Sequence, residues 1–360
     1  MSRPIHALID LSALEHNLSV VRRYASRSRI MAVIKADAYG HGLLRAAEAF
    51  KSADGFAILE LEAAIRLREA GYQHTILLIE GFFSRSELEL FERYQFCTVI
   101  HNSEQLEMLS AYKRLGGLDV FLKLNTGMNR LGFTPEQFPA ALELLRSNPV
   151  VGQITLMTHF ACADEHKERN GVAEQLQCFN TVTSNLNLPR SLANSAATLC
   201  YPETHADWVR PGIMLYGASP FSDTSASELD LRPAMTLTSK VIAVQYLHSG
   251  DKVGYGQIFR ADRSMRVGIV AGGYADGYPR HAPIGTPVLV NGTRTRIIGR
   301  VSMDMLHVDL SGIENAGVGS PVIFWGKGMP VDEVAQSAGT IGYELLCSLT
   351  KRIKIETIET

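Results

Sequence analysis

The sequence contains no apolar run of the roughly 18 residues that a membrane-spanning helix requires, and neither basic nor acidic residues predominate. Its 35 Lys and Arg against 37 Asp and Glu give a formal net charge of −2. This balance argues against a nucleic-acid or anionic-membrane surface, because such surfaces need an excess of positive charge. The first ten residues carry Arg3 but no apolar core and no small-residue cleavage site, so no secretory signal is expected.

The five cysteines are an odd number, are widely spaced and include no Cys-x-x-Cys pair. A disulfide framework is therefore disfavoured, and thiols in a reducing compartment are the better interpretation. With 360 residues, 46% of them hydrophobic, the chain is long enough for one large domain and a smaller one. We therefore expect a folded, cytoplasmic, globular protein.

Short apolar runs alternate with amphipathic stretches over the first two thirds of the chain. Eight runs are candidate strands: 30–34, 56–58, 75–79, 97–100, 120–124, 154–157, 191–193 and 213–216. The clearest helical stretches between them are 60–69, 103–114, 135–146 and 170–185. Regular alternation predicts parallel strands joined by helical crossovers. Eight such units fit a (β/α)8 TIM barrel over residues 1–230, although an open doubly wound sheet would have the same pattern.

The pattern changes after a polar stretch at 222–230. The runs that follow are rich in β-forming residues: 235–244, 267–271, 287–290, 293–298, 305–309 and 321–325. Asn291-Gly292 lies between two of these runs and predicts a hairpin turn. Short helices at 331–337 and 343–350 and a last strand at 352–356 complete the prediction. Residues 231–360 are therefore predicted to form a mainly β C-terminal domain.

Polar side chains follow several of the predicted barrel strands, where the catalytic groups of such barrels lie. Lys35 closes the first run, Lys123 lies near the end of the fifth, and His159 follows the sixth. Asn194 and Ser195 follow the seventh run. Each has an ordinary interpretation, because a lysine at a strand end is usually solvated and Asn or Ser commonly caps a helix. Their recurrence at the strand ends of one barrel favours a functional site.

The sequence disfavours two other kinds of site, a metal site and a nucleotide site. Four potential metal ligands follow the sixth run: His159, Asp164, Glu165 and His166. Their spacing does not match a zinc motif, so a metal-dependent hydrolase is disfavoured and no metal is predicted. Gly254-Tyr255-Gly256 lacks the third glycine of a dinucleotide fingerprint, and Gly326-Lys327 lacks the Ser or Thr that ends a P-loop, so neither predicts a nucleotide site.

Residues 35–42, KADAYGHG, closely resemble the lysine motif of the alanine racemase family, whose members use pyridoxal phosphate. Further matches occur in the family's order at 123–132, 159–161, 194–197, 208–212, 253–256, 273–280, 299–304 and 343–345. A single-barrel family that binds pyridoxal phosphate carries a similar lysine motif, but the whole set is specific for the racemases. The resemblance implies a barrel that binds the cofactor and a C-terminal β domain that contributes a second catalytic base.

The resemblance also implies a role for each matching residue. Lys35 would hold pyridoxal 5'-phosphate covalently, because an amine condenses with its aldehyde. Arg210 would face the pyridine nitrogen and, since a guanidinium only donates hydrogen bonds, disfavour its protonation, which favours racemisation over transamination. Arg130 would contact the cofactor and the substrate carboxylate, and Lys123 matches a position that is carbamylated in many members. The other cofactor contacts would be Tyr39, His159, Asn194, Ser195, Gly212, Ile213 and Tyr343.

Racemisation needs a proton donor and acceptor on each face of Cα. By resemblance, Lys35 would act on D-alanine and Tyr255 on L-alanine, with Tyr255 assisted through His159 and Arg210. In the family this tyrosine comes from a second subunit, which implies a homodimer with shared active sites. Substrate-binding and entrance residues would be Met303, Tyr274 and Tyr343, with an outer gate of Asp164, Arg280, Arg300 and Ile341.

The implied activity is interconversion of L- and D-alanine, either to supply D-alanine for peptidoglycan or to catabolise it. A serine or broader-specificity racemase on the same scaffold, and a non-catalytic protein that binds pyridoxal phosphate, are the alternatives. Asn125 departs from the pattern, because many members have Asp there. This change removes a possible charge near Lys123.

Overall fold

The computed structural model describes residues 3–113, 116–165 and 171–358. The chain divides into two compact units. The barrel unit comprises the described residues of Leu18–Ala38 and Gly42–Leu215. The sheet unit comprises those of Met1–Asn17, Tyr39–His41 and Tyr216–Thr360. No helix within the described ranges is long and apolar enough to cross a bilayer.

Strand β1 (His6–Asp10) belongs to the sheet unit, and the next eight strands of the chain close into the barrel. In order these are β2 (Arg29–Val33), β3 (Gly55–Ile58), β4 (Thr75–Leu78), β5 (Cys97–Ile100), β6 (Leu118–Lys123), β7 (Val151–Met157), β8 (Arg190–Ser191) and β9 (Trp208–Val209). All neighbouring barrel strands are parallel, including the closing pair β2 and β9. The predicted TIM barrel is confirmed, and the open doubly wound sheet is excluded.

The eighth predicted strand was wrong. Residues 213–216 form a 3₁₀ helix, Ile213–Tyr216, and the barrel closes instead through the short strand β9. A short apolar run that is buried on all sides can be strand or helix, and its composition does not distinguish the two. All four residues are buried, which satisfies either structure.

The helices of the first 215 residues fall between the barrel strands or just before them. They are Leu11–Tyr24, Leu43–Ala49, Leu61–Glu69, Leu88–Tyr94, Ser103–Ser110, Phe138–Arg146, Ala173–Thr183 and Ser195–Cys200. The four predicted helices are confirmed with shorter ends; residues 114 and 170 of those predictions lie outside the described residues. Asn194 accepts a hydrogen bond from the Ala197 amide at 2.9 Å, so the predicted helix cap is confirmed.

The remaining strands belong to the sheet unit. They are β10 (Met235–Leu247), β11 (Lys252–Val253), β12 (Phe259–Arg260), β13 (Met265–Ala271), β14 (Pro287–Val290), β15 (Thr293–Ile298), β16 (Met305–Asp309), β17 (Pro321–Trp325) and β18 (Lys354–Ile358). Eight strands form one sheet in the order β13-β16-β15-β14-β17-β10-β1-β18, while β11 and β12 pair separately. The mainly β character of this region is as predicted, with helices at Val331–Ser337 and Gly342–Cys347.

Two details of this sheet bear on the sequence predictions. Asn291 and Gly292 both have positive φ values, 49° and 74°, between the antiparallel strands β14 and β15, which confirms the hairpin turn. Strand β1 was not predicted. It pairs antiparallel with β10 and parallel with β18, and these long-range pairings, more than its five residues, determine its structure.

Asp332, at the start of Val331–Ser337, is a half-buried carboxyl whose Oδ2 accepts a hydrogen bond from the Ser219 amide at 2.9 Å. Burial raises its pKa to about 6, against the opposing effect of that hydrogen bond. Since folding favours the protonated form, this group's contribution to stability is lost as the pH rises from about 4 through 6. Asp332→Asn keeps an oxygen that can accept the Ser219 hydrogen bond but has no charge to bury. Above pH 6 we expect its free energy of unfolding to be about 1–2 kcal/mol higher than that of the parent, and at pH 4 we expect the two to be nearly equal. Urea unfolding at both pH values measures this, and a difference that does not grow with pH would contradict it.

Candidate active site

Lys35 follows β2 at the carboxyl end of the barrel, directly before a left-handed turn. Ala36, Asp37 and Ala38 have φ values of 53°, 51° and 55°. Residues other than glycine avoid this conformation, at a cost of roughly 1–2 kcal/mol each. Asp37 offsets part of it, because its carbonyl accepts from the Gly42 amide at 2.9 Å and its Oδ1 accepts from the Leu43 amide at 2.8 Å. Strain of this kind is found at functional sites, and here it lies beside the lysine.

Arg210 follows β9 and is only 5% exposed. Its Nη1 donates to Ser191 Oγ at 2.6 Å, and its Nη2 donates to the carbonyls of Thr158 at 2.7 Å and Leu192 at 3.1 Å and to His159 Nδ1 at 3.4 Å. Among the described residues it has no carboxylate partner, and its Nε–H has no acceptor. Burial lowers the pKa of Arg210 to about 10, so the guanidinium keeps its charge at neutral pH.

Two more titratable groups lie in the field of this guanidinium. Lys123, only 6% exposed, has its pKa lowered to about 8 by burial and then by Arg210 and Arg130. Its Nζ makes no hydrogen bond to the part of the chain that is described. Burial, followed by Arg210 and Lys123, holds the pKa of His159 well below its ordinary value. His159 is therefore neutral at pH 7, and since an arginine cannot accept a hydrogen bond, its Nδ1 is the acceptor.

A narrow crevice on the barrel unit is lined by Lys123, Arg130, Thr158 and His159. Asn125, which also lines it, uses its side chain within its own loop. Its Oδ1 accepts from the amides of Gly127 and Asn129, and its Nδ2 donates to Asn129 Oδ1 at 2.9 Å. Asn125, which was expected to alter the surroundings of Lys123, therefore stabilises the conformation of the loop that leads to Arg130.

A second polar group of the barrel unit lies around Ser195. The Ser195 hydroxyl accepts from the Gly212 amide at 2.8 Å and from the Met214 amide at 3.5 Å. The amide of Ile213, a fully buried residue, donates to no described residue. A hydroxyl and adjacent amide donors form an arrangement that suits a phosphate or another anion.

The remaining predicted residues belong to the sheet unit. Tyr255 lies between β11 and β12, flanked by two glycines of positive φ, and is 70% exposed. The Tyr274 amide donates to the Ser302 carbonyl at 3.1 Å and the Ala275 amide donates to the Met303 carbonyl at 3.0 Å, so the segments that carry Tyr274 and Met303 are joined.

Tyr39 and Tyr343 form an aromatic pair within the sheet unit. Their ring centroids are 6.1 Å apart, and the Tyr39 ring also stacks on Tyr216 at 4.7 Å. Burial raises the pKa of Tyr39 above its ordinary value, so its hydroxyl stays protonated and can donate a hydrogen bond. The four residues predicted as an outer gate are all described, and Ile341 is 61% exposed.

The structure thus brings Lys123, Arg130, His159 and Arg210 together, and separately joins Ser195 to Gly212. Sequence reasoning missed Ser191 and Thr158, which hold Arg210; the position of each at a strand end was the available signal. In the described ranges no three His, Cys, Asp or Glu side chains form a metal-binding group, and His166 lies outside them. None of the five cysteines is in a disulfide.

A closed parallel barrel has a buried cationic cluster at the carboxyl ends of its strands, and the chain continues into a mainly β unit. Barrel enzymes have their active sites at this end of the barrel. Two family models match the chain: the alanine racemase N-terminal domain over residues 9–220 and the alanine racemase C-terminal domain over residues 234–357. The chain belongs to the alanine racemase family.

Individual comparisons agree. An alanine racemase of Nitrosospira multiformis is 69% identical over 98% of this chain and 99% of the relative. The crystal structure of the biosynthetic alanine racemase from Pseudomonas aeruginosa matches with a TM-score of 0.96 and 48% identity, covering 99% of this chain and all of that one. The alanine racemase structure from Acinetobacter baumannii matches with a TM-score of 0.94 and 39% identity, covering 99% and 100%. The protein is an isomerase, and its small-molecule substrate is alanine.

Proposed function

We propose that this enzyme racemises alanine with pyridoxal 5'-phosphate and two bases, Lys35 and Tyr255, acting on opposite faces of Cα. One observation carries the proposal. The Arg210 guanidinium is buried without a carboxylate partner among the described residues and keeps an Nε–H without an acceptor. Such a donor suits a pyridine nitrogen that is to remain unprotonated, which weakens the ring as an electron sink and favours rapid reprotonation of Cα.

The residues of the chain fit this cofactor. Lys35 offers the amine for covalent attachment, and the Ser195 hydroxyl with the Ile213 amide offers donors to its phosphate. The Gly212 amide, which donates to Ser195 Oγ in this structure, is assigned to the same phosphate site. The neutral His159 can contact the ring, and Arg130 the phenolic oxygen. Further contacts are assigned to Tyr39, Asn194 and Tyr343. When bound, the cofactor withdraws electrons from the alanine Cα, so that its proton can be removed.

The chain's own residues then bind alanine and move the proton. Arg130 and the Met303 amide hold the alanine carboxylate, and Tyr274 with Tyr343 restricts the side chain to a small size. The Lys35 amine takes or returns the proton on the D face, and the Tyr255 oxygen does so on the L face. Residues 1–230 would thus form the cofactor-binding domain, and 231–360 the domain that contributes the second base.

We assign the complete site to a homodimer in which Tyr255 of one subunit serves the Lys35 of the other. Large apolar and aromatic side chains are exposed on the sheet unit: Tyr255, Ile258, Met303, Met305 and Ile341. Tyr255, the proposed second base, is 70% exposed in the single chain, so enclosing it in an active site would require a partner. Sedimentation of a fully active monomer would contradict this assignment.

The physiological role we propose is supply of D-alanine for peptidoglycan in the cytoplasm. The Pseudomonas aeruginosa relative is a biosynthetic alanine racemase, and cysteines outside disulfides fit a reducing compartment. Catabolism of D-alanine is the other role for the same reaction.

The proposed restriction of the substrate side chain by Tyr274 and Tyr343 is tested by comparing the turnover of alanine, serine and lysine. Faster turnover of lysine or serine than of alanine would contradict a pocket narrowed by these two residues.

Lys123 is the proposed site of carbamylation, in which its neutral amine attacks CO2, an N–C bond forms and a proton is released. Its pKa of about 8, against about 10.4 for an ordinary lysine, supplies neutral amine near physiological pH. With ¹³C-bicarbonate we expect one carbamate signal that increases as the pH rises from about 7 to 9. Lys123→Ala should lose this signal, and replacement of the exposed Lys240 should not. A parent enzyme without the signal would contradict the proposal.

The test of the activity is chiral analysis of L-alanine incubated with the enzyme and pyridoxal phosphate in deuterated water. We expect D-alanine that carries deuterium at Cα, because the proton passes through bases that exchange with solvent. Exchange with retained L configuration would mean that the Lys35 face does not reprotonate, and therefore contradict the two-base proposal. Absence of any exchange would favour the cofactor-binding alternative.

A further inference from the structure

Gln175 is a buried amide on the helix Ala173–Thr183 that no catalytic assignment uses. Its Oε1 accepts a hydrogen bond from the Ala161 amide at 2.8 Å. Its Nε2 donates to Thr126 Oγ1 at 3.0 Å and to the His159 carbonyl at 3.2 Å. Both the oxygen and the nitrogen of the side-chain amide are therefore hydrogen-bonded, and these partners define the orientation of the amide.

The hydrogen bonds continue from Gln175 in one direction. Thr158 Oγ1 donates to the Leu124 carbonyl at 3.0 Å, so in its 2.8 Å contact with Thr126 Oγ1 it must accept. Thr126 therefore donates to Thr158 and accepts from Gln175. Each hydroxyl has a single proton, so only a donor at the Gln175 position satisfies the whole chain.

These hydrogen bonds join the two barrel loops that carry the cationic cluster. Thr126 lies between Lys123 and Arg130 in the loop after β6, whereas His159 follows β7. The Thr158 carbonyl also accepts from Arg210 Nη2 at 2.7 Å. A single buried side chain, that of Gln175, thus connects the loop that carries Arg130 to the loop that carries His159 and binds Arg210.

We propose that Gln175 is a positioning residue that holds the Arg130 loop against the His159 loop and so aligns the substrate-carboxylate contact with the cofactor contacts. This inference rests on the proposed roles of Arg130 and His159. Gln175 would contact neither substrate nor cofactor and would act only through Thr126 and the backbone of the His159 loop.

Two substitutions disturb the chain in different ways. Gln175→Met keeps the length of the side chain but removes all three hydrogen bonds. Gln175→Glu keeps an acceptor for Ala161 but cannot donate, so a carboxylate oxygen faces the His159 carbonyl. It also adds a negative charge near His159, whose surroundings are otherwise cationic: Lys35, Lys123, Arg130 and Arg210.

The experiment measures kcat, KM for alanine, bound cofactor and melting temperature for the holoenzyme variants. For Gln175→Met we expect kcat/KM to fall about 10- to 100-fold, mostly through KM, with cofactor content unchanged, because a displacement of about 1 Å at a binding group has an effect of this size. Gln177→Met is the matched control, since Gln177 is exposed on the same helix, and it should match the parent. For Gln175→Glu the acid limb of the pH profile should move to higher pH, since a nearby negative charge favours protonated His159.

If the Gln175 variants do not fold, Thr126, the middle residue of the hydrogen-bonded series, provides the same test. Thr126→Val removes the hydroxyl and should raise KM similarly, whereas Thr126→Ser keeps the hydroxyl and should have the KM of the parent. A lower melting temperature with unchanged KM and pH profile would overturn the inference and leave Gln175 a structural residue. Failure of the proposed function is separate, because a parent enzyme without bound cofactor would fail before any Gln175 variant is compared.

Discussion

Replacing Tyr255 by Phe is expected to lower racemisation about 10²- to 10⁴-fold, the range typical for loss of a general base. The change removes one oxygen from a side chain that is 70% exposed in the single chain, so neither folding nor cofactor content should change. Both directions should be slow, since the group that removes the proton from L-alanine is also the one that returns it. D-alanine should nevertheless continue to exchange its Cα proton with solvent, because the Lys35 face is intact.

Deuterium at Cα, measured separately from each enantiomer, checks this expectation. The matched control is Tyr246→Phe, since Tyr246 is 74% exposed in the same unit and lies in β10, outside the proposed site. That variant should behave as the parent. Unchanged racemisation by Tyr255→Phe would refute the assignment of the second base, and equal loss of exchange from both enantiomers would mean that Tyr255 affects more than one face.

The regular alternation of apolar runs and amphipathic stretches was enough to predict parallel strands with helical crossovers, and seven of the eight predicted strands lie where strands form. It could not distinguish a barrel from an open sheet, because closure depends on the pairing of β2 with β9, far apart in the sequence. The exceptions have a common physical cause. Residues 213–216 became a 3₁₀ helix, and β1 became a strand, because long-range packing and pairing determine the structure of segments this short.

The site was predictable in part. The residue types at strand ends indicated where a site would lie, but the role of each came from resemblance to a family. The left-handed turn after Lys35 has no signal in its composition, since two of its residues are alanine. The partners of Arg210 and the hydrogen bonds of Gln175 are also invisible in the sequence, because they join residues 14 to 52 positions apart.

Replacing Arg210 by Gln should have the other large effect, a fall in kcat/KM of about 10²- to 10³-fold, because a preorganised charge is removed from a buried site. Arg210 also lowers the pKa values of Lys123 and His159, so both should rise in the variant. Less neutral Lys123 amine is then present at pH 7, and the carbamate signal should appear only at higher pH. Loss of the guanidinium also permits the pyridine nitrogen to be protonated, so more pyruvate should form per D-alanine through transamination.

Arg210→Lys separates charge from geometry, because it keeps the cation but loses the paired donors to Ser191, Thr158 and Leu192. We expect its Lys123 carbamate signal to keep the pH dependence of the parent while its kcat falls. The pH dependence of the Lys123 carbamate signal in the parent, Arg210→Lys and Arg210→Gln therefore measures how far a positive charge at position 210 lowers the pKa of Lys123. The same pH dependence in all three would show that the charge of Arg210 does not lower the pKa of Lys123. An unchanged ratio of pyruvate to D-alanine in Arg210→Gln would refute the link between the guanidinium and reaction specificity.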